Sequence, residues 1–225
     1  MGAIRGDSTI IDSRIADDYM LRDAQMTDDE SEIKRRALEL IAECLFAQGS
    51  ILPAGATHEE LQGFENRSGV RLPPKLADMY RCFNAPVNSS FGWIRSVGRP
   101  FESCDVEMTL NLRDIDWRHR GWIPFANDGC GNDYVVPTRN EWGAGEPVVF
   151  FDTIESVEVP SYVCASDVWR FLLFSCRCEI AWDLDDGRFA EYKNWPFDQD
   201  LVMRIDPQVS AFEGVTLPWR TDSSC

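Results

Sequence analysis

Residues 122–137 read WIPFANDGCGNDYVVP, and this stretch decides the fold. Two apolar runs, WIPFA (122–126) and DYVVP (133–137), flank the turn-forming NDGCGND (127–133). Short runs rich in β-branched and aromatic residues, bounded by turn residues, read as strands. Gly129 and Gly131 permit the positive φ angles of a tight hairpin connection. The stretch therefore predicts an antiparallel pair with a tight loop. Downstream, PVVFF (147–151) reads as a further strand; upstream, Val106, Met108, Leu110 and Leu112 alternate with polar neighbours, which predicts another over 106–112.

Helical patterns surround these strands. Thr27-Asp-Asp-Glu30 fits a capping box, in which a Thr hydroxyl and a Glu carboxylate satisfy the orphan amides of a helix start. Ile33, Ala37, Ile41, Cys44 and Leu45 then recur at helical spacing, with Gly49 as the stop. Thr57-His-Glu-Glu60 repeats the signal, followed by Leu61, Phe64 and the terminator Gly69. A third helix opens at Pro73-Pro74, where a first-turn proline forfeits no hydrogen bond, and carries Leu76, Met79, Tyr80 and Phe83 on one face until Asn84 and Pro86 close it. Ser166 is expected to cap a final helix with Val168, Phe171, Leu172 and Ser175 inward, before a Trp- and Asp-rich segment of strands or turns. Helices, then strands, then a helix predict an α+β fold. Residues 1–26, with Asp7, Asp12, Asp17, Asp18 and Asp23, read as an acidic arm, and 27–225 as a single domain.

The charge narrows the function. Among 225 residues, 38 acidic side chains face 22 basic ones, for a net charge of −16. Nucleic acid would meet a surface of its own sign, without the counterion release that drives such binding, whereas a basic protein is the natural complement. The acidity concentrates in the arm, around the hairpin at 127–133 and between Asp183 and Asp206. No apolar run approaches the roughly 20 residues needed to span a bilayer, and MGAIRGDST lacks an apolar signal core, so a cytoplasmic protein is expected. The 8 cysteines then read as core hydrophobes or loop thiols. Cys176 and Cys178 form a C-x-C pair, but no second pair and no nearby His completes a metal site, and no metal or cofactor is expected.

Catalysis finds little support. His58 lies in a capping box, His119 in the charged run Asp116-Trp-Arg-His-Arg120, and no nucleophile elbow, zinc-protease motif or P-loop is present. Asp128 and Asp133 offer a carboxylate pair for a small hydrolase, yet NDGCGND lacks the spacing and distal Glu of a calcium loop, and a turn with solvated acids explains it as well.

Three ordered segments carry a resemblance to the SUKH superfamily, whose members include yeast cell-wall-synthesis regulators and many bacterial immunity proteins. The first comprises Glu65, Gly69, Leu72, Pro73, Leu76, Tyr80 and Asn84. The second is Trp122, Ile123, Pro124, Phe125, Ala126, Asp128, Gly129, Gly131, Asn132 and Tyr134. The third is Gly145, Val148, Phe150, Asp152, Ser166, Trp169, Phe171 and Leu172. The match spans about 57–175 and leaves 179–225 as a C-terminal extension. It departs from the family at Asn84-Ala85-Pro86, where Asn-Gly is usual.

The resemblance implies a non-enzymatic α+β domain, a mainly antiparallel curved sheet flanked by helices, that as a monomer or weak dimer neutralises a cognate protein toxin, nuclease-like or otherwise intracellular; the charge adds that this toxin is expected to be basic. A regulatory or scaffold role, as in the fungal relatives, is the alternative. Two acidic clusters compete for the interface. One gathers Asp128, Asp133, Glu141, Asp152, Glu155 and Glu158 near the hairpin; the other is Asp183, Asp185 and Asp186 beside Trp182. Tyr134, Trp142 and Trp182 are candidate anchors, because aromatics are enriched at binding hot spots, and each is equally suited to the core.

Overall fold

The computed structural model describes residues 29–84, 94–98, 105–112, 116–183 and 187–220. Its organising element is a helix that the sequence makes apolar nearly all round. Residues Val168–Asp183 run VWRFLLFSCRCEIAWD, and every side chain from Val168 to Arg177 is buried. A helix without a polar face must be covered on all sides. Phe171 packs on Phe125 and Tyr134 of the sheet, at 5.4 and 4.7 Å between ring centroids, while Cys44 of an upstream helix approaches the Cys176 carbonyl and Phe189 and Tyr192 close over Arg177. The inward face expected from Val168, Phe171, Leu172 and Ser175 is thus only part of the buried surface.

In chain order the helices are α1 (Glu30–Ala47), α2 (His58–Ser68), α3 (Pro74–Cys82), α4 (Val106–Leu112), α5 (Trp117–Arg120), α6 (Val168–Asp183) and α7 (Gln199–Ile205). The strands are β1 (Trp122–Asn127), β2 (Asp133–Pro137), β3 (Val148–Phe151) and β4 (Tyr162–Ala165), antiparallel in the order β1-β2-β3-β4. The fold is α+β, as expected. Irregularities between Pro124 and Ala126 and between Val148 and Val149 bend the sheet, and Pro124, which has no amide to give a ladder, lies at the first of them on an outer strand. Beyond β1, the Arg95 amide donates to the Phe125 carbonyl at 2.7 Å; beyond β4, the Val163 amide donates to the Thr216 carbonyl at 2.9 Å.

The second capping box is complete: Thr57 Oγ1 accepts from the Glu60 amide at 3.1 Å, and the Glu60 carboxylate accepts from the Thr57 amide at 2.8 Å. Gly69, at φ 72°, ends that helix in the left-handed conformation. Three local expectations are corrected. Helix α1 is capped by Asp29, whose carboxylate accepts from the Ser31 amide, so Glu30 is its first residue and not the third of a box opened by Thr27, which lies outside the described residues. Helix α6 is capped by Asp167, not Ser166: Asp167 Oδ1 accepts from the Arg170 amide at 2.9 Å. Residues 106–112 form α4 and not a strand. Val106 and Leu110, four apart, are buried, Met108 and Leu112 face solvent, and Asp105 Oδ1 accepts from the Glu107 amide at 2.7 Å. The extension likewise adds α7 and short 3-10 turns over Gly187–Asn194, Pro207–Ala211 and Pro218–Arg220, rather than strands.

The extension also brings a carboxylate into the core. Asp206, fully buried, accepts from the Ser166 amide at 2.6 Å and lies 3.5 Å from Arg170, whose guanidinium also pairs with Asp167 at 2.5 Å. Burial pushes the Asp206 carboxyl up to about 6, against the pull of the Ser166 amide and Arg170. A raised folded-state value means that the native chain holds this proton more tightly than the unfolded one. Asp206 therefore adds stability as pH falls through about 6, an effect complete below its unfolded value near 4. On lowering pH from 7 to 4.5, Asp206→Asn is expected to gain about 2 kcal/mol less stability than the parent, as read by urea melts at the two pH values.

Candidate functional site

The β1–β2 hairpin and the β3–β4 connection leave the sheet at the same end, and side-chain bonds lock them together. Gly129 and Gly131 adopt φ of 76° and 105°, which lets the loop fold over Asp128. Asp128 Oδ1 accepts from the amides of Cys130 and Asn132 at 2.8 and 3.1 Å, and its Oδ2 from the Asn132 side chain at 2.7 Å. Asn132 in turn accepts from the Thr153 amide at 3.1 Å, and Thr153 Oγ1 donates to the Gly131 carbonyl at 2.9 Å. In the second loop, Asp152 Oδ1 accepts from the Ile154 and Glu155 amides, Ser156 Oγ from those of Glu158 and Val159, and the Trp117 indole donates to the Val157 carbonyl at 2.7 Å.

The same end of the sheet carries Asp128, Asp152, Glu155 and Glu158 together with two outward apolar side chains, Ile154 at 88% and Val159 at 63% exposure. On the adjoining sheet face stand Tyr134, Phe150 and Tyr162, all partly buried. Burial raises the Tyr134 and Tyr162 phenols above their ordinary value, and the nearby charge of Asp128 adds to both, that of Asp152 to Tyr162. Four acids of the first cluster therefore share one end of the molecule with Tyr134.

The remaining residues of that cluster are elsewhere. Asp133 is fully buried, and its Oδ1 accepts from Arg95 at 2.5 Å; the same guanidinium donates to the Pro124 and Ala126 carbonyls at 3.2 and 2.7 Å. It faces Arg95 inside the fold, so it does not form a carboxylate pair with Asp128. Glu141 belongs to the β2–β3 connection at the opposite end of the sheet, where it accepts from the Trp122 indole at 2.6 Å. Trp142 is buried against Trp122, with centroids 5.6 Å apart, and reads as core. Of the second cluster, Asp183 is the last residue of α6, and Asp185 and Asp186 lie outside the described residues. Trp182 is 59% exposed but already engaged: its indole donates to the Lys193 carbonyl at 3.1 Å and the Lys193 ammonium lies 4.8 Å from its ring centre.

Sequence reasoning passed over Ile154 and Val159, whose signal was two apolar residues inside the turn-rich, acidic segment 152–161. It also passed over Phe150 and Tyr162 as surface groups, because their cross-strand alignment with Tyr134 requires the register. A separate cleft of about 260 Å³ lies between α1 and α3, lined by Glu30, Lys34, Lys75, Asp78 and Trp169. Its charges are paired internally, Lys34 with Asp78 at 2.6 Å and Lys75 with Glu30 at 2.6 Å and Asp167 at 2.8 Å. Among the described residues there is no grouping of His, Cys, Asp and Glu suited to a metal ion, and no helix long and apolar enough to cross a membrane.

No curated protein matches the chain. A family model described as SMI1 / KNR4 family (SUKH-1) matches residues 55–173, more than half of the sequence. This interval contains the LPP segment entering α3, the whole four-stranded sheet and the opening of α6, the three places where the motif residues fall. The chain belongs to the SMI1 / KNR4 family (SUKH-1).

Proposed function

We propose that this chain is a non-enzymatic immunity protein of the cytoplasm, which binds a basic protein toxin and blocks it. The observation that carries this reading is the hairpin end of the sheet. There, Asp128, Asp152, Glu155 and Glu158 share two loops with exposed Ile154 and Val159 on a chain of net charge −16. An apolar centre with a charged rim is the anatomy of a protein interface, and the sign of the rim selects a cationic partner and speeds its encounter. Toxins that act on nucleic acid must be basic to hold phosphates, so carboxylates fixed in rigid loops are suited to imitate their substrate. Both loops are held by side-chain caps, so little ordering entropy is lost on binding.

Co-expression tests the reading: the chain should restore growth to cells producing a toxin encoded beside its gene. Binding without growth rescue would favour the regulatory or scaffold role instead, and failure of every neighbouring product to bind would sink the proposal. Reversing two rim charges, Glu155→Lys with Glu158→Lys, should lower the association rate with the toxin about 10-fold or more at low salt and leave the melting temperature nearly unchanged. An unchanged rate, measured by surface plasmon resonance, would place the interface elsewhere.

A further inference from the structure

The row of aromatic rings beside the acidic loops has a chemistry of its own. Residues Tyr134, Phe150 and Tyr162 are aligned across β2, β3 and β4 by the register Tyr134↔Phe150 and Phe150↔Tyr162, with centroids 5.2 and 5.0 Å apart, the second pair stacked. Phe197, contributed by the C-terminal extension and 57% exposed, continues the row with its ring 5.7 Å from Tyr162. The result is a row of partly buried rings, packed at its Tyr134 end on Phe171 of α6 and exposed at its Phe197 end. Asp152 adjoins it, its amide donating to Ser161 Oγ beside Tyr162 at 3.0 Å, and Asp128 is held by the Asn132 side chain, two residues before Tyr134, at 2.7 Å. Asp128 spends both oxygens on its own loop, but Asp152 Oδ2 accepts no hydrogen bond from the described residues.

Elsewhere several aromatic faces of this chain are covered by its own cations. Arg120 lies 4.6 Å from the Trp122 ring centre, Arg177 4.8 Å from Tyr192, Lys34 5.2 Å from Trp169 and Lys193 4.8 Å from Trp182. Among the described residues no cation stands over Tyr134, Phe150, Tyr162 or Phe197, although this row has two carboxylates beside it. A ring face attracts a cation through its quadrupole, and a neighbouring carboxylate strengthens that attraction. Guanidinium is the better fit than ammonium, because it is planar, weakly hydrated, stacks on rings and offers several donors to a carboxylate oxygen.

We propose that the Tyr134–Phe150–Tyr162–Phe197 row, with Asp152 at its edge, is a receptor for an arginine side chain of the basic partner. The arginine lays its guanidinium on the rings and donates to Asp152 Oδ2. This inference rests on the proposed function only for the identity of the partner; the recognition itself is a property of the row.

The test uses the full chain, labelled with ¹⁵N, and a short capped glycine peptide carrying one arginine. Titration should shift the amide resonances of residues 132–134, 150–153 and 162. The same peptide with lysine should bind more weakly, and with citrulline, which keeps the shape and loses the charge, should leave the spectrum unchanged. Asp152→Asn, which retains the oxygen that caps its turn, and Phe197→Ala, at an exposed position, should each weaken binding about 3- to 10-fold. Asp200→Asn removes the same charge from exposed α7 and should change nothing. Equal binding of citrulline, shifts spread over the whole surface, or an effect of Asp200→Asn matching that of Asp152→Asn would overturn the receptor. If the peptide binds as expected but no neighbouring toxin is neutralised, the receptor stands and the immunity reading falls. If cells are protected as well by Phe197→Ala and Asp152→Asn as by the parent, and the peptide is ignored, the immunity reading stands and the receptor falls.

Discussion

Asp133→Ala is expected to destabilise the protein by about 3–5 kcal/mol, the range for breaking one partner out of a buried ion pair. Arg95 would remain against the sheet with, among the described residues, the Pro124 and Ala126 carbonyls as acceptors and no counter-charge at the position Asp133 now fills. Thermal unfolding should shift down by roughly 10 °C for a chain of this size. Replacing both partners by apolar residues, Arg95→Leu with Asp133→Leu, should recover much of the loss, because the two desolvation costs disappear together. Asp128→Asn keeps an oxygen toward the loop amides and should stay within about 1 kcal/mol of the parent. Chemical melts of the four proteins give the comparison. Equal losses for Asp128→Asn and Asp133→Ala would contradict the placement of the two acids on opposite sides of the surface.

Arg170→Met should also cost about 3–5 kcal/mol near pH 8, and much less near pH 5. Arg170 is the buried cation between Asp167 and Asp206, and without it two carboxylates are left in a space with little water. Asp167 keeps Lys75 at 2.8 Å, but among the described residues Asp206 keeps the Ser166 amide alone. The Asp206 carboxyl, already raised to about 6 by burial, should rise further once the guanidinium is gone, so it is neutral at pH 5 and charged at pH 8. Urea melts at both pH values measure this. A loss independent of pH would show that Arg170 acts through packing of its stem alone.

Strands β1, β2 and β3 were legible because turn residues and β-branched runs occur at the spacing of a hairpin, and Gly129 and Gly131 adopt the positive φ that made them recognisable; β4, four residues long, was not anticipated. Helix α4 was not, because in seven residues Val106, Met108, Leu110 and Leu112 satisfy a two-residue period as well as the four-residue one that puts Val106 and Leu110 inside. Only Asp105, buried and capping the first turn, decides between them. Asp133 was taken for surface because acids usually are, and its counter-ion stands 38 residues earlier in the chain. The proposed interface was half readable: Asp128, Asp152, Glu155, Glu158 and Tyr134 were named from sequence, but that Glu141 leaves by the other end of the sheet follows only from the strand order. The extension was opaque because its short turns are held by contacts with α6, such as Tyr192 on Arg177, and not by a periodic pattern of their own.

Both flanks of the sheet are met by other backbone, at Arg95 beyond β1 and at Thr216 beyond β4. Many protein pairs join by strand addition, in which a visiting peptide hydrogen-bonds along an open sheet edge and main-chain geometry supplies much of the affinity. That route is obstructed on each side here. On the proposed reading, a visitor would be left the loops and rings at the end of the strands, where side-chain identity decides who is admitted. The same closure limits the chain's capacity to stack on copies of itself through its sheet, a useful restraint for a protein rich in aromatic residues.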